Sequence, residues 1–328
     1  MSLTHDTPTS LLDTVGNTPL VPIERSPADV AIYAKLEAFN PGGSVKDRIG
    51  KHILEQYLER GTVPPGGTII EPTAGNTGIG MAIAATQLDL NAVFVLPRGF
   101  SEEKEELMAA LGAEIEHVPT EDGMRGAAER AAELAAERDD AVVPQQFANP
   151  LNAEAHELTT GPEVVDTLDG NIGALVVGIG SAGTLMGMAR AIRKHEPDLH
   201  VVAVEPGGSK FGERFGKHRE AKSYKTEGIG THDPGVSELL DPELVDDIIS
   251  VEDEAAQREL KRLAAEEGHL IGSSAGAASV AAHTVATDIH NGTIDVPHPT
   301  VVTVFPDGSE RYLSKGLYRS FVEWEGKG

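Results

Sequence analysis

The 328-residue chain contains no cysteine. Disulfides, thiolate metal sites and a cysteine nucleophile are therefore excluded. Aromatic residues are scarce, at 4%, so the core has to be aliphatic. Positive charge is the minority sign: 27 Lys and Arg stand against 52 Asp and Glu, for a formal net charge of −25. So acidic a surface argues against nucleic acid and anionic membranes as partners. Long apolar runs are missing as well. The longest, Gly173–Met188, is short and broken by glycine, and no membrane span is expected. Met1–Ser10 is polar and lacks the apolar stretch of a secretory signal. The cytoplasm is the expected location. The histidines, His156, His195 and His218 among them, show no metal-ligand spacing, and no metal is expected.

Carboxylates are spread along the chain (Glu102–Glu106, Asp139–Asp140, Asp246–Asp247, Glu252–Glu254) and not gathered in a tail. That describes a solvated surface, and it suits adaptation to high salt, where self-repulsion is screened. Hydrophobic residues make up 40%, enough for one large α/β domain or two lobes. The 36 glycines imply many tight turns.

Short β-branched runs alternate with helical patterns. Strands are expected at Val30–Leu36, Thr68–Glu71, Asn91–Leu96, Glu114–Val118 and Ala141–Val143. Helices are expected at Ser44–Glu59, from Thr77 to about Leu88, at Ser101–Leu111 (Ser101 as N-cap, Gly112 past the end) and at Gly123–Arg138. A second series follows: strands Ala174–Val177, His200–Val204 and Thr300–Phe305, with helices Thr184–His195, Glu254–Glu267 and Gly276–Ile289. Such alternation predicts mostly parallel sheets flanked by helices. Two series predict two lobes, with a boundary near Asn149–Pro150. Gly207–Pro234, polar and glycine-rich, is the candidate for a long functional or mobile loop.

Four loops could carry chemistry. In Asn40–Arg48, Gly42 and Gly43 permit a sharp turn and Ser44 can cap the next helix. Lys46 then sits at that helix's positive end, where a neutral amine is favoured over an ammonium; an ordinary surface lysine fits the same placement. Glu71–Gly78 joins a strand to a helix and suits an anion, or is simply a tight turn. Gly178–Thr184 matches G-x-G-x-x-G, and Glu205 ends the next strand, so both a phosphate and a dinucleotide fit. Gly272–Ala277 offers a serine that could meet a neutral ring nitrogen or merely cap a helix.

Together these loops resemble fold-type II pyridoxal-phosphate (PLP) enzymes, and the cysteine synthase / cystathionine β-synthase family in particular. The similarity runs from Val15–Gly16–Asn17–Thr18–Pro19–Leu20 to Tyr312–Leu313–Ser314–Lys315. The resemblance implies that Lys46 holds the cofactor and is the catalytic base. It implies that Thr73, Gly75, Asn76 and Thr77 bind the substrate carboxylate, with Asn76 also on the cofactor's ring hydroxyl. Gln146 and Phe147 match a second carboxylate-binding segment. Gly180, Ser181, Gly183 and Thr184 match the cofactor's phosphate loop, which favours PLP over a dinucleotide. Ser274 matches the serine facing the pyridine nitrogen, and Gly228–Ile229–Gly230 a glycine segment lining the site.

The family layout is a larger PLP-binding lobe, residues 1–46 and 151–328, and a smaller mobile lobe, residues 47–150, with PLP in the cleft of a homodimer subunit. Three departures stand out. Ala74 replaces a frequent serine, Ala182 adds a methyl to the phosphate loop, and Asp307 points towards cystathionine β-synthase-like members. The implied reaction is β-replacement on O-acetylserine or serine, by sulfide (giving cysteine) or by homocysteine (giving cystathionine). Sulfide ranks first because it needs the fewest acceptor contacts. A serine/threonine dehydratase or a weakly active PLP-binding protein are the remaining readings.

Overall fold

The computed structural model describes residues 7–218 and 220–319. In chain order the strands are β1 (Leu20–Pro22), β2 (Ala31–Leu36), β3 (Thr68–Pro72), β4 (Asn91–Pro97), β5 (Glu114–Val118), β6 (Ala141–Val142), β7 (Ala174–Gly178), β8 (His200–Pro206), β9 (Asp247–Val251) and β10 (Thr300–Phe305). The α-helices are α1 (Lys46–Glu59), α2 (Asn76–Gln87), α3 (Glu102–Ala110), α4 (Gly123–Ala136), α5 (Pro150–Leu158), α6 (Thr160–Thr167), α7 (Gly183–Arg193), α8 (Asp253–Arg262) and α9 (Ser273–His290). Chain contacts group the described residues into two units: 7–17 with 40–145, and 18–39 with 146–319.

The first unit is built on a four-stranded sheet, ordered β5-β4-β3-β6 and parallel throughout. Its central strands read as unbroken apolar runs because both faces are covered. Ile69 and Ile70 of β3 and Val93–Leu96 of β4 are buried. Ala127, Ala131 and Leu134 recur at helical spacing on α4 and close over Ile70, Val93 and Val95. Helices α1 and α2 meet backbone to backbone. A Cβ on Gly50 would lie 2.4 Å from the Gly80 carbonyl oxygen, and one on Gly80 would lie 2.5 Å from that of Lys46. Gly80→Ala is therefore expected to destabilise the protein by about 1–3 kcal/mol through forced separation of the two helices. Urea unfolding would measure it, and a change under 0.5 kcal/mol, the size of a neutral surface substitution, would contradict this packing.

The second unit holds a six-stranded sheet, ordered β1-β2-β10-β7-β8-β9. Only the short edge strand β1 runs antiparallel to its neighbour. Two aliphatic cores sandwich this sheet. One packs α9 residues such as Ala281 and Val285 on Val176 and Val202. The other packs α7 residues such as Leu185 and Met188 on Leu175 and Val201. The alternation along β7 and β8 sends successive side chains to opposite cores, as the period of a strand requires.

Several expectations shift by local chemistry. Helix α1 starts at Lys46, and the Ser44 hydroxyl accepts the Lys46 N–H at 3.2 Å. Ser101 precedes α3 but makes no side-chain cap bond, and its buried hydroxyl has no partner among the described residues. The helix expected over Glu254–Glu267 stops at Arg262. Leu263–Glu267 widens into a π turn that ends at Gly268, φ 77°. Strands β1 and β9 and helices α5 and α6 lie outside the expected elements. Gly207–Pro234 forms no α-helix or strand among the described residues, only the 3₁₀ turn Phe211–Phe215. Among the described residues no helix is long and apolar enough to cross a membrane.

Candidate active site

In the first unit, Lys46 is the first residue of α1 and is half-buried. The turn before it is pinned by its own side chains. Asn40 Nδ2 donates to the Ser44 carbonyl at 3.1 Å, and Asn40 Oδ1 accepts the Gly16 N–H at 2.9 Å. The Gly42 N–H donates to Asp47 Oδ2 at 2.5 Å, and Gly43 takes φ 75°, which a side chain would resist. The segment Thr73–Thr77 lies in the same unit, where β3 runs into α2. Thr73 and Thr77 are buried, while Gly75 and Asn76 are half-exposed. Thr73 Oγ1 accepts the Gly75 N–H at 3.3 Å. Gly75 caps α2 with an extended backbone and contributes no side-chain cap bond. The contact of Gly80 with the Lys46 carbonyl sets this segment beside the lysine turn. An anion held on the α2 amides would thus lie near an amine at the start of α1.

The second unit gathers its own set at the carboxyl ends of parallel strands, where α/β sheets bind ligands. Gly178–Thr184 leaves β7 and opens α7. Ser181 and Thr184 are buried. Ala182 caps α7 at φ 64°, a left-handed conformation that costs a residue with a Cβ about 1 kcal/mol, so the added methyl is accommodated with the turn retained. Gly228–Gly230 lies against this loop: the Gly230 N–H donates to the Ile179 carbonyl at 2.8 Å, and a Cβ on Gly180 would sit 2.6 Å from the Gly228 carbonyl oxygen. Ser237 Oγ donates to the Ser181 carbonyl at 2.7 Å.

Ser274 is buried in the first turn of α9, which Gly272 caps without a side-chain bond. Its neighbour Ser273 is the one turned aside, accepting the Glu227 N–H at 3.0 Å. The end of β10 fixes this turn, because the Gly272 N–H donates to the Asp307 carbonyl and the Tyr312 hydroxyl donates to Asp307 Oδ2. Gln146 is buried and its carbonyl accepts from Asn152 Nδ2 at 2.7 Å; Phe147 is exposed. Thus Lys46, Thr73, Gly75, Asn76 and Thr77 assemble in one unit, and Gln146, Gly180, Ser181, Gly183, Thr184, Gly228 and Ser274 in the other.

Two residues behind the loop carried no signal in the sequence. Asn152 and His156, on α5, each reach one of its hydroxyls. Only their spacing of four could have hinted at a shared helix face. Beside Gly230, burial and the carboxylates of Glu205 and Asp253 raise the Tyr224 hydroxyl above its ordinary pKa.

The model of the family described as "Pyridoxal-phosphate dependent enzyme" matches residues 11–307. An O-acetylserine dependent cystathionine beta-synthase of Bacillus subtilis is 44% identical over 316 residues, 96% of this chain and 99% of its own. A cysteine synthase of Helicobacter pylori is 41% identical over 315 residues, 94% of this chain and 98% of its own. The crystal structure of an O-acetylserine dependent cystathionine beta-synthase from Helicobacter pylori superposes with a TM-score of 0.84 at 40% identity, covering 95% of this chain and 99% of that one.

The residues present fit PLP. Buried hydroxyls at the start of α7 are donors, as a phosphate dianion needs. A neutral serine in the first turn of α9 suits an unprotonated pyridine nitrogen. A primary amine stands at the start of α1, where the helix favours its neutral form. The chain belongs to the pyridoxal-phosphate-dependent enzymes, within the cysteine synthase and cystathionine β-synthase family, and its chemistry is β-replacement with PLP as cofactor.

Proposed function

We propose that the chain joins O-acetylserine to homocysteine, releasing acetate and forming cystathionine. The observation that carries this reading is the 44% identity, over nearly the whole of both chains, to a relative named for that reaction. Two residues support it. Ala74 removes a hydroxyl beside the carboxylate-binding segment, and Asp307 stands where cysteine synthases tend to have serine. Asp307 is buried and braces the start of α9 through the bonds to Tyr312 and Gly272, so its effect is on the position of Ser274. The order in which sulfide stood first is thereby reversed. Cysteine formation from sulfide is retained as the second reading, favoured by the 41% identical cysteine synthase.

PLP supplies an electrophilic carbon for the substrate amine and an electron-accepting ring. In the proposal, Lys46 anchors it and, once released by the incoming amino acid, takes the proton from the substrate α-carbon. Amides and hydroxyls of Thr73, Gly75, Asn76 and Thr77 hold the α-carboxylate, with Gln146 assisting. The C–O bond to acetate breaks at the β-carbon. The homocysteine sulfur forms the new C–S bond there, its thiol proton passing to solvent, and Lys46 returns to the α-carbon the proton it took. Gly180, Ser181, Gly183 and Thr184 hold the phosphate, Ser274 the ring nitrogen, and Gly228 borders the substrate. The working form is a homodimer in the cytoplasm, and light scattering would give the subunit number.

The test is a competition. Purified holoenzyme receives O-acetylserine with homocysteine or with sulfide, and products are identified by mass spectrometry. We expect kcat/KM at least about tenfold higher with homocysteine, a difference of about 1.4 kcal/mol at the transition state. Preference for sulfide would move the chain to cysteine synthesis. Serine outrunning O-acetylserine would overturn the donor assignment.

A further inference from the structure

Helix α5 grips both hydroxyls of the loop between β7 and α7. Asn152 Nδ2 donates to Ser181 Oγ at 3.0 Å and to the Gln146 carbonyl at 2.7 Å. One turn on, His156 Nε2 lies 3.2 Å from Thr184 Oγ1, and His156 Nδ1 lies 2.8 Å from Thr160 Oγ1. Asn152, His156 and Thr160 are fully buried. Two glycines of α7 allow the approach. A Cβ on Gly187 would fall 2.1 Å from the Ala153 carbonyl oxygen, and one on Gly183 would fall 2.0 Å from Asn152 Oδ1. Any side chain at either position would push α5 off the loop.

The positions of the hydrogens follow from the partners. A carbonyl only accepts, so the Asn152 atom beside the Gln146 carbonyl is the amide nitrogen, and Ser181 Oγ receives one of its hydrogens. The hydrogen of Ser181 is then aimed away from Asn152. A phosphate dianion also only accepts, so each hydroxyl that holds it must give it a hydrogen. If Thr184 spends its hydrogen there, its oxygen must accept from His156 Nε2. Nδ1 of the neutral ring is then an acceptor, and the hydroxyl within reach to supply it is that of Thr160.

We propose that His156 is a positioning residue, held as the neutral Nε2–H tautomer by Thr160, which with Asn152 aims the Thr184 and Ser181 hydroxyls at the cofactor phosphate. The logic is that of a metal-ligating histidine, where the far nitrogen's partner fixes what the near nitrogen does. The inference rests on the reading of Gly180–Thr184 as the phosphate loop.

The experiment uses holoenzyme labelled with ¹⁵N-histidine, with the His156 signals identified by their loss in His156→Gln. The expected result near pH 7 is a neutral ring protonated at Nε2. A ring protonated at Nδ1, or an imidazolium, overturns the proposal. Thr160→Val supplies a second reading that does not depend on the fold of the histidine variant. We expect its PLP dissociation constant to rise about tenfold and the ³¹P resonance of the bound phosphate to shift, with Thr160→Ser restoring both. An unchanged affinity and ³¹P signal in Thr160→Val would also overturn it. Failure of the underlying reading has a different signature: pyridoxal without its phosphate would bind the wild type as tightly as PLP does.

Discussion

Lys46→Ala is expected to lower β-replacement at least about a thousandfold, because on the proposed roles one substitution removes both the cofactor's anchor and the base that moves the α-proton. Fold should survive. The residue stands half-exposed at the first position of α1, and alanine is the strongest helix former there. Loss would therefore come from chemistry. Steady-state rates, circular dichroism and the visible absorbance of protein-bound PLP separate the two. Native circular dichroism with the absorbance band lost and the rate collapsed is the expected set. Normal turnover in this variant would remove Lys46 from the reaction.

The largest expected effect on stability lies elsewhere, where α8 meets α9. Arg262 is buried, and its guanidinium donates to both oxygens of Glu259, at 2.9 and 2.7 Å, and to Glu267 Oε1 at 2.5 Å. Glu259 also accepts from Ser279 Oγ at 2.7 Å, and Glu267 accepts the Glu24 N–H at 3.0 Å. One cation thus joins α8, the π turn, α9 and the loop before β2. Arg262→Ala leaves two carboxylates facing each other with no countercharge between them. Breaking a buried pair in this way costs about 3–5 kcal/mol, whereas an exposed pair is worth about 1 kcal/mol or less.

The same contacts give a pH signature. Burial opposes ionisation of Glu259, but its bonds with Arg262 and Ser279, with the His283 ring 3.3 Å away, prevail and hold its carboxyl well below the usual range. A depressed folded pKa means that the stabilisation is fully present above the ordinary glutamate value of about 4.3 and is lost as pH falls towards the folded one. Urea unfolding of wild type and Arg262→Ala at neutral and acid pH should show a gap that narrows below about pH 4. A gap under 1 kcal/mol at neutral pH would show that the network is not a stabilising one.

Strand–helix alternation, and with it the parallel sheets, is legible in the sequence because buried parallel strands must be continuously apolar, as in Ile69–Ile70 and Leu175–Val177. The glycine turns are legible too, because conformations such as that of Gly43 exclude most side chains. The segments missed are those whose apolar pattern is weak. In α5 and α6, buried polar groups such as Asn152, His156 and Thr160 occupy positions where periodicity looks for aliphatic residues. Likewise, nothing local marks the π turn after Arg262, since the carboxylate of Glu267 that it presents matters only once Arg262 is buried beside it.

Composition and local pattern by themselves determined that this protein has no cysteine thiol of its own, that its sheets are mostly parallel, and that glycine-rich turns precede helices where an anion can bind. Those properties depend on residue type and on neighbours within a few positions. Only the tertiary structure decided which atoms stand behind those turns. Gly80 sets the Lys46 turn against α2, Asp307 braces the turn that carries Ser274, and Asn152 and His156 reach Ser181 and Thr184 across 29 and 28 residues of chain. Contacts between residues so far apart in sequence exist only after the chain has packed, and a hydroxyl's direction is set by the partner it then meets.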